Sequence, residues 1–143
     1  TSFFYSSRCI MFIKDKKILL AHATGQKHWD IPKGQREDSE AFNEAAVREC
    51  SEEIGFLIED VNDLKDLGVV DYMPQKQLAL FLYTGDKYPE TEKCVCTSFF
   101  FDRWNRKIFE VDDFKYVPFD ELENYTTKNM YKTLSKILDS FYK

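Results

Sequence analysis

Three glutamates share a short stretch of the chain: Glu49 stands three residues before Glu52 and four before Glu53. On a helix this spacing places the three carboxylates within an arc of roughly 100°, where neighbouring like charges repel one another. Glu53 would also lie in the last helical turn, where the helix dipole disfavours an anion. Arg48 offsets only part of this charge. A bound divalent cation would neutralise the cluster, and the alternative is an ordinary solvated acidic face.

The segment before these glutamates offers further groups for a cation and a phosphate. Residues 29–34 read Trp-Asp-Ile-Pro-Lys-Gly, a turn-like segment that ends in a glycine with an unhindered carbonyl. Magnesium takes oxygen ligands and keeps several coordination positions for water or substrate phosphate. Glutamates and the Gly34 carbonyl would therefore be a sufficient contribution from the protein, with Lys33 placed to stabilise charge on phosphate oxygens.

Between Gly34 and Phe56 the chain resembles the Nudix box, GX5EX7REUXEEXGU. Gly34 is followed by five residues, Glu40, seven more residues and then the run RECSEEIGF. Every polar and glycine position of the pattern is filled. The two departures are Cys50 in the aliphatic position and Phe56 in the last apolar position, and neither carries the expected chemistry.

The resemblance implies a magnesium-dependent hydrolase, with manganese as the alternative ion. Nudix enzymes cleave a phosphoanhydride bond in a nucleoside diphosphate linked to another moiety, generally by attack of water on a phosphorus. By position, Glu49, Glu53 and the carbonyl of Gly34 would be direct metal ligands. Glu52 would bind a further metal ion or would orient and deprotonate the attacking water.

The same resemblance implies supporting roles for residues around the glutamates. Arg48 would hold the glutamates in place, and Glu40 would pair with Arg48. Many Nudix enzymes use another carboxylate beyond the box, and Glu110 occupies the matching place in RNA pyrophosphohydrolase-like and dinucleoside polyphosphate hydrolase-like members. Asp112 and Asp113 are the alternatives if this loop is displaced.

Substrate preference is predicted from residues outside the box. Within the family, a tyrosine at about the distance that separates Tyr72 from Phe56 accompanies dinucleoside polyphosphate hydrolysis, whereas a proline slightly closer to the box accompanies ADP-ribose hydrolysis. Tyr72 lies 16 residues beyond Phe56 and Pro74 lies 18 beyond it, which favours dinucleoside polyphosphates such as diadenosine tetraphosphate. Tyr72 would stack on a nucleobase, Lys76 would meet a distal phosphate and His28 would contact the substrate.

Three other functions remain open at this point. The first is hydrolysis of ADP-ribose or a nucleotide sugar, and the second is removal of 5′ phosphates from RNA. The third is a catalytically silent nucleotide-binding module, which the complete set of Glu49, Glu52 and Glu53 disfavours.

The elements that must position these residues are strands and two helices. The first helix is predicted at 38–55, with Asp38 and Ser39 as capping candidates, and the second at 127–142, packed on the sheet. Apolar patterning predicts strands at 2–13, 17–23, 67–73, 76–83, 94–101 and 115–119, the first two forming a hairpin. Together with the resemblance, this order implies an α+β chain with the Nudix-type α/β/α sandwich and a mixed β-sheet.

Composition sets the class of protein and its partners. A chain of 143 residues with 43% hydrophobic residues and no repeat or linker predicts a single Nudix hydrolase domain over residues 1–143. Twenty basic against 25 acidic residues give a net charge of −5, which disfavours an extended nucleic-acid interface. No apolar stretch approaches the roughly 18 residues of a membrane span, so we expect a cytoplasmic protein whose partner is a small nucleotide. Homodimers occur in this family.

The four cysteines carry no disulfide or zinc-site spacing. They are Cys9, Cys50, Cys94 and Cys96, and we expect buried thiols, with the last two on one face of a strand. Such sparse cysteine usage favours a reducing compartment.

Overall fold

The computed structural model describes residues 5–35 and 42–141 of the chain. Within these ranges ten strands and three α-helices follow one another. They are β1 (Tyr5–Met11), β2 (Ile13–Lys14), β3 (Lys17–Ala23), β4 (Trp29–Asp30), β5 (Lys33–Gln35), α1 (Phe42–Ile54), β6 (Leu64–Met73), β7 (Lys76–Tyr83), β8 (Phe99–Phe101), β9 (Lys107–Phe109), β10 (Val111–Pro118), α2 (Leu122–Tyr125) and α3 (Lys128–Phe141). The predicted caps of the first helix, Asp38 and Ser39, lie outside the described residues.

The main sheet is mixed and has the strand order β5-β1-β7-β6. Strands β1 and β7 run parallel, while β5 pairs antiparallel with β1 and β6 pairs antiparallel with β7. A second sheet has the order β10-β3-β2, with β4 paired to β3, and β8 and β9 form a separate two-stranded hairpin. The mixed α+β architecture predicted from the sequence is therefore confirmed.

Strand β1 separates two hydrophobic cores. Because side chains alternate along a strand, Cys9 and Met11 face one core and Ile10 and Phe12 face the other. Helix α3 contributes to the first core and helix α1 to the second. The main sheet is thus covered on both faces, which gives the three-layer α/β/α arrangement.

The two helices behave as the sequence predicts. Ala46, Cys50 and Ile54 of α1 are buried, and α3 buries apolar residues at helical spacing. Helix α1 ends at Gly55, whose φ of +75° is the left-handed conformation that glycine adopts most readily. The Gly55 amide donates to the carbonyl of Ser51 at 3.0 Å. No helix within residues 5–35 and 42–141 is long and apolar enough to cross a membrane.

The predicted hairpin between 2–13 and 17–23 is only partly correct. The hairpin is the short pair β2–β3, closed by Asp15 and Lys16, which both have positive φ values of 54° and 59°. Strand β1 instead enters the main sheet, where it pairs with β7 and β5. The physical reason is that the end of β1 is apolar on both faces, with Cys9 and Met11 on one and Ile10 on the other, and a central position in the main sheet buries both.

The predicted strand over 94–101 is wrong in its first half. Only Phe99–Phe101 forms a strand, because the preceding backbone amides donate to the end of helix α1 instead of to a neighbouring strand. The amide of Val95 donates to the carbonyl of Ile54 at 3.0 Å. Cys94 and Cys96 therefore do not share a strand face: Cys96 is buried, whereas Cys94 is only half-buried.

Strand β10 is longer than predicted. It runs from Val111 to Pro118, whereas the sequence pattern indicates a start at Lys115. Its first residues alternate charged and apolar side chains less clearly than the later ones, and pairing with β3 extends the strand toward the loop that holds Glu110. The extension matters because it places that loop beside helix α1.

Candidate active site

The close approach of α1 to β5 begins at Gly34. Gly34 lies opposite Arg8 in the β1–β5 ladder, and the carboxylate of Glu49 lies directly against the Gly34 backbone. A Cβ at position 34 would overlap the carboxyl group of Glu49. A glycine is needed here because only a backbone without a side chain leaves room for this carboxylate.

Glu53 is the most deeply buried of the three glutamates, with 7% of its surface exposed. The backbone amide of Lys33 donates to Glu53 Oε2 at 3.2 Å. Burial raises the pKa of Glu53 well above its ordinary value, and the charges of Asp30 and Glu110 act in the same direction. The hydrogen bond from Lys33 opposes this shift in the pKa without cancelling it.

Arg48 holds the other two glutamates. Its Nη2 donates to Glu49 Oε1 at 2.7 Å, and its Nη1 lies 3.2 Å and 3.1 Å from the two oxygens of Glu52. Burial raises the pKa of Glu49, and the Arg48 guanidinium opposes the shift. The arrangement has the form that the Nudix resemblance implies for an arginine beside the glutamates.

Glu110 lies in the loop between β9 and β10 and faces the same cluster. Its negative charge raises the pKa of both Glu49 and Glu53. The hydroxyl of Ser98 donates to Glu110 Oε2 at 3.2 Å.

The two alternative acids are engaged elsewhere. Asp112 pairs with the ring of His22, and Asp113 accepts a hydrogen bond from the amide of Phe114. Of the three acids that sequence reasoning considered, Glu110 is the one that the fold turns toward the glutamates of α1.

Two lysines meet over the ring of Tyr72. The Nζ atoms of Lys33 and Lys76 lie 5.9 Å and 5.6 Å from the centre of that ring. Burial lowers the pKa of Lys76, and the positive charge of Lys33 lowers it further. Lys33 also pairs with Asp30, with 2.7 Å between Nζ and Oδ2. We call Lys33 and Lys76 the lysine pair, and their ammonium groups form a positive site with Asp30 beside it.

Two predicted residues are not joined to this group. The ring of His28 makes no hydrogen bond or ion pair to a neighbour in the described part of the chain, and its carbonyl accepts from the amide of Ala23 at 3.4 Å. Glu40 lies within 36–41, outside the described residues.

Two residues beside the cluster were missed by sequence reasoning. Arg8 is 1% exposed in β1, and it lines the same small cavity as Glu49. Its signal in the sequence is a single arginine directly before a run of apolar residues. Asp30, the partner of Lys33, stands three residues before it and adds a further negative charge near Glu53.

The donor set fits a divalent cation. Among the described residues no three His, Cys, Asp or Glu side chains are already arranged as a metal site. Arg48 binds the carboxylate of Glu49, and the Lys33 amide binds that of Glu53. The carboxylate of Glu49 nevertheless occupies the space that a side chain at position 34 would fill. The donors are oxygen atoms, which magnesium and manganese accept. Burial, with the neighbouring acids, raises the pKa values of Glu49 and Glu53, and a bound cation would favour their ionised forms.

A large open cavity lies elsewhere on the molecule. It has a volume of about 1120 Å³ and is lined near the end of α1 by Tyr83, Tyr88 and Tyr116. None of the glutamates or lysines of the candidate site lines it. The charged cluster, and not the volume of a cavity, therefore identifies the candidate site.

The sequence of this chain is similar to those of known proteins. The family model of the NUDIX domain matches residues 4–141. The chain is 33% identical over 141 residues to an uncharacterized 17.7 kDa protein in the e-segB intergenic region of Enterobacteria phage T4, a match that covers 92% of this chain and 93% of that protein.

Two solved structures illustrate the similarity of fold. A MutT NUDIX hydrolase from Burkholderia pseudomallei has a TM-score of 0.67 at 18% identity, over 93% of this chain and 97% of that one. A bifunctional NMN adenylyltransferase/ADP ribose pyrophosphatase from Francisella tularensis, complexed with AMP and a Mn ion, has a TM-score of 0.70 at 14% identity. The match covers 98% of this chain but only 42% of that longer protein.

Proposed function

Because the chain belongs to the Nudix family of pyrophosphohydrolases, we propose that it hydrolyses dinucleoside polyphosphates, such as diadenosine tetraphosphate, with magnesium. The coarser activity, hydrolysis of a nucleoside diphosphate linked to another moiety, is that of the family. The observation that carries the finer proposal is the position of the lysine pair. Lys33 contributes its amide to Glu53 and its ammonium group to the ring of Tyr72, so the glutamates and the positive site adjoin each other.

Glu49, Glu53 and the carbonyl of Gly34 would hold the cation, with manganese as the alternative ion. When bound, a divalent cation supplies charge neutralisation for the phosphates and lowers the pKa of a bound water. The burial of Glu53 supports this assignment, since a buried carboxylate with a raised pKa gains most from a nearby positive charge.

Glu52 is proposed as the residue that orients and deprotonates the attacking water. Its side chain is 43% exposed, the largest value among the three residues of the Arg48 ion pairs, so its carboxylate is open to water. Arg48 limits the positions that this carboxylate can take, with 3.1 Å between Nη1 and Oε2. Glu110 is proposed as a second carboxylate near the reacting phosphate, held by the Ser98 hydroxyl.

The lysine pair and Tyr72 favour a substrate with a long phosphate chain and a second base. The two ammonium groups would contact phosphates beyond the cleaved bond, while the ring of Tyr72 would stack on a nucleobase. ADP-ribose is the second candidate substrate, because the Francisella tularensis protein with this fold is named as an ADP ribose pyrophosphatase. ADP-ribose has two phosphates and would leave part of the lysine pair without a phosphate partner.

The test is product analysis on a panel of substrates. The purified protein is incubated with magnesium and diadenosine tetraphosphate, ADP-ribose, a nucleoside triphosphate and a short 5′-triphosphate RNA. We expect ATP and AMP from the tetraphosphate to form faster than any other product. If AMP forms faster from ADP-ribose, then ADP-ribose and not a dinucleoside polyphosphate is the substrate. If only the RNA releases pyrophosphate, the substrate is the RNA 5′ end. No reaction with magnesium or manganese would indicate a silent binding module.

A pair of variants separates the site from the rest of helix α1. Glu52→Gln should lose at least about a hundredfold in turnover, as expected for removal of a general base or metal ligand. Glu44→Gln changes an exposed glutamate of the same helix and should retain the wild-type rate. Near-wild-type turnover in Glu52→Gln would contradict its assigned role.

A further inference from the structure

A hairpin rich in aromatic residues stands apart from both cores. Strands β8 and β9 pair only with each other within the described chain, and all of their residues except the half-buried Ile108 are exposed. Four phenylalanines are at least 44% exposed, and Trp104 at the tip is 62% exposed; the four are Phe99, Phe100, Phe101 and Phe109. Contiguous exposed apolar surface of this kind marks an interaction site in soluble proteins. We call residues 99–109 the aromatic hairpin.

Cations lie over the rings of this hairpin. The Nζ of Lys107 is 4.2 Å from the centre of the Phe99 ring and 5.3 Å from that of Phe109. The guanidinium groups of Arg103 and Arg106 lie 4.2 Å and 5.0 Å from the ring of Trp104. The surface therefore combines flat aromatic faces with positive charge.

The charge of the hairpin is opposite to that of the whole chain. Arg103, Arg106 and Lys107 give +3 and Asp102 gives −1, so the hairpin carries +2 in a chain of net charge −5. In a twofold contact between two copies of the chain, the hairpin of one copy, with its charge of +2, would face the equally charged hairpin of the other, and the two would repel each other. The charge thus favours an anionic partner, and the rings favour one with flat groups that stack.

The base of the hairpin adjoins the candidate active site. The amides of Thr97 and Ser98 donate to the carbonyl of Glu52 at 2.7 Å and 3.2 Å. The hydroxyl of Ser98 donates to Glu110, the residue that follows the hairpin. A chain molecule lying on the hairpin would therefore lead toward the glutamate cluster.

We propose that the aromatic hairpin binds a single-stranded polynucleotide. Its bases stack on the face formed by Phe99, Phe101 and Phe109 and on Trp104, while its phosphates contact Arg103 and Lys107. The net charge of −5 predicts no extended nucleic-acid interface, but that charge averages over a surface on which the hairpin is a local exception. The binding goes beyond the proposed hydrolysis and does not depend on it.

The experiment measures binding where no hydrolysis can occur. Single-stranded RNA and DNA of roughly ten nucleotides, each with a 5′ hydroxyl and a 3′ fluorophore, are titrated with the protein in EDTA at low salt, and fluorescence anisotropy is recorded. The two phosphate contacts of Arg103 and Lys107 predict a slope of about −1.4 for the logarithm of the binding constant against the logarithm of the salt concentration. A stronger signal from one of the two oligonucleotides identifies which polynucleotide is preferred.

Variants of the hairpin test the two kinds of contact separately. Trp104→Ala should weaken binding about tenfold through lost stacking, and Trp104→Phe should restore most of it. Arg103→Ala should make the salt slope shallower by about 0.7. Lys132→Ala, an exposed lysine of α3, should bind like the wild type, and melting curves of all variants check that the fold is kept.

Two results would overturn the proposal. One is the absence of binding that depends on Trp104, seen either as no binding to both oligonucleotides or as equal binding by the wild type and Trp104→Ala. The other is a dimer in sedimentation that Trp104→Ala dissociates, without polynucleotide binding, which would make the hairpin a contact between copies of this chain. Because the assay contains neither metal ion nor phosphoanhydride, either result leaves the proposed hydrolase function untouched.

Discussion

At the scale of single residues, Glu53 combines a carboxylate with almost complete burial. Its carboxylate accepts a hydrogen bond from the amide of Lys33, and its pKa is raised because burial disfavours the charged form. The ordinary pKa of a glutamate is 4.5. At pH values above it, ionising Glu53 therefore costs free energy in the folded protein that it does not cost in the unfolded chain. Strongly perturbed carboxylates beside further charged groups are typical of functional sites.

Substitution of Glu53 by Gln should separate stability from activity. In EDTA at pH 8, Glu53→Gln should melt at the same temperature as the wild type or a few degrees higher, because the buried charge is gone and the Lys33 amide keeps an acceptor. With magnesium, turnover should fall at least about a hundredfold. Thermal unfolding and initial rates measure the two effects, and an active but destabilised variant would contradict the assignment.

The lysine pair yields a prediction about substrate affinity. Lys76→Met removes one ammonium group but keeps an apolar side chain against the ring of Tyr72. We expect KM for diadenosine tetraphosphate to rise about tenfold, the usual loss of one charge-assisted contact, with a smaller change for ADP-ribose. Lys136→Met on the exposed face of α3 is the matched control. Equal effects on the two substrates would argue against a distal-phosphate contact.

At the scale of elements, the candidate site is built where four segments meet. Helix α1 supplies the glutamates, β5 supplies Gly34, and the turn between β6 and β7 brings Tyr72 and Lys76 toward Lys33. The loop before β10 supplies Glu110. The position of that loop depends on the pairing of β10 with β3, so the β3–β10 ladder is part of the support of the site.

The ion pair between β3 and β10 should make stability depend on pH. The hydrogen bond that the His22 ring donates to Asp112 raises the pKa of His22 above its ordinary value of 6.5. The folded state therefore binds the proton more tightly, and this stabilisation is fully present below pH 6.5 and is lost as pH rises through the raised value. Asp112→Asn should destabilise the protein at pH 6, by at most about 1 kcal/mol for such an exposed pair.

The measurement is urea unfolding of Asp112→Asn and the wild type at pH 6 and pH 9. The difference in the free energy of unfolding should shrink from pH 6 to pH 9, because His22 loses its proton as the pH rises through its raised pKa. Asp139→Asn, an exposed aspartate of α3, controls for the change in net charge. A difference that stays constant between the two pH values would mean that the His22–Asp112 pair does not carry the effect.

At the scale of the whole molecule, the site lies where the two cores and the loops around the sheet come together. Negative charge accumulates there, and Glu110 raises the cost of ionising both Glu49 and Glu53. The fold tolerates this repulsion because the cores behind the sheet supply the stability. A ligand that binds only the folded cluster should therefore stabilise the entire domain.

Magnesium should raise the melting temperature of the protein. At a free concentration of about one hundred times the dissociation constant, the folded state gains about 2.7 kcal/mol, enough to raise the melting temperature of a domain of this size by about 5 °C or more. Differential scanning calorimetry with sodium chloride at matched ionic strength gives the control. The shift should be absent in Glu53→Gln and present in Glu44→Gln, and an unchanged wild-type melting curve would count against the metal site.

Much of the architecture could be predicted from the sequence. The helices, the β6–β7 pair and the core face of α1 follow from periodicity in residues that are neighbours along the chain. The N-terminal hairpin and the strand over 94–101 are predicted only in part, because β1 gains more burial in the main sheet and the amides before Phe99 find acceptors on α1. Both errors concern partners that are distant in sequence.

The sequence by itself determined the Nudix box and the placement of Glu49, Glu52 and Glu53 on one helical turn, because helix geometry fixes the spacing of side chains that are three and four residues apart. Only the tertiary structure decided which other groups face them. The burial of Glu53 and the choice of Glu110 over its neighbours depend on sheet register and packing between segments far apart in the chain. Local spacing cannot fix these pairings, since they arise only when the layers pack together.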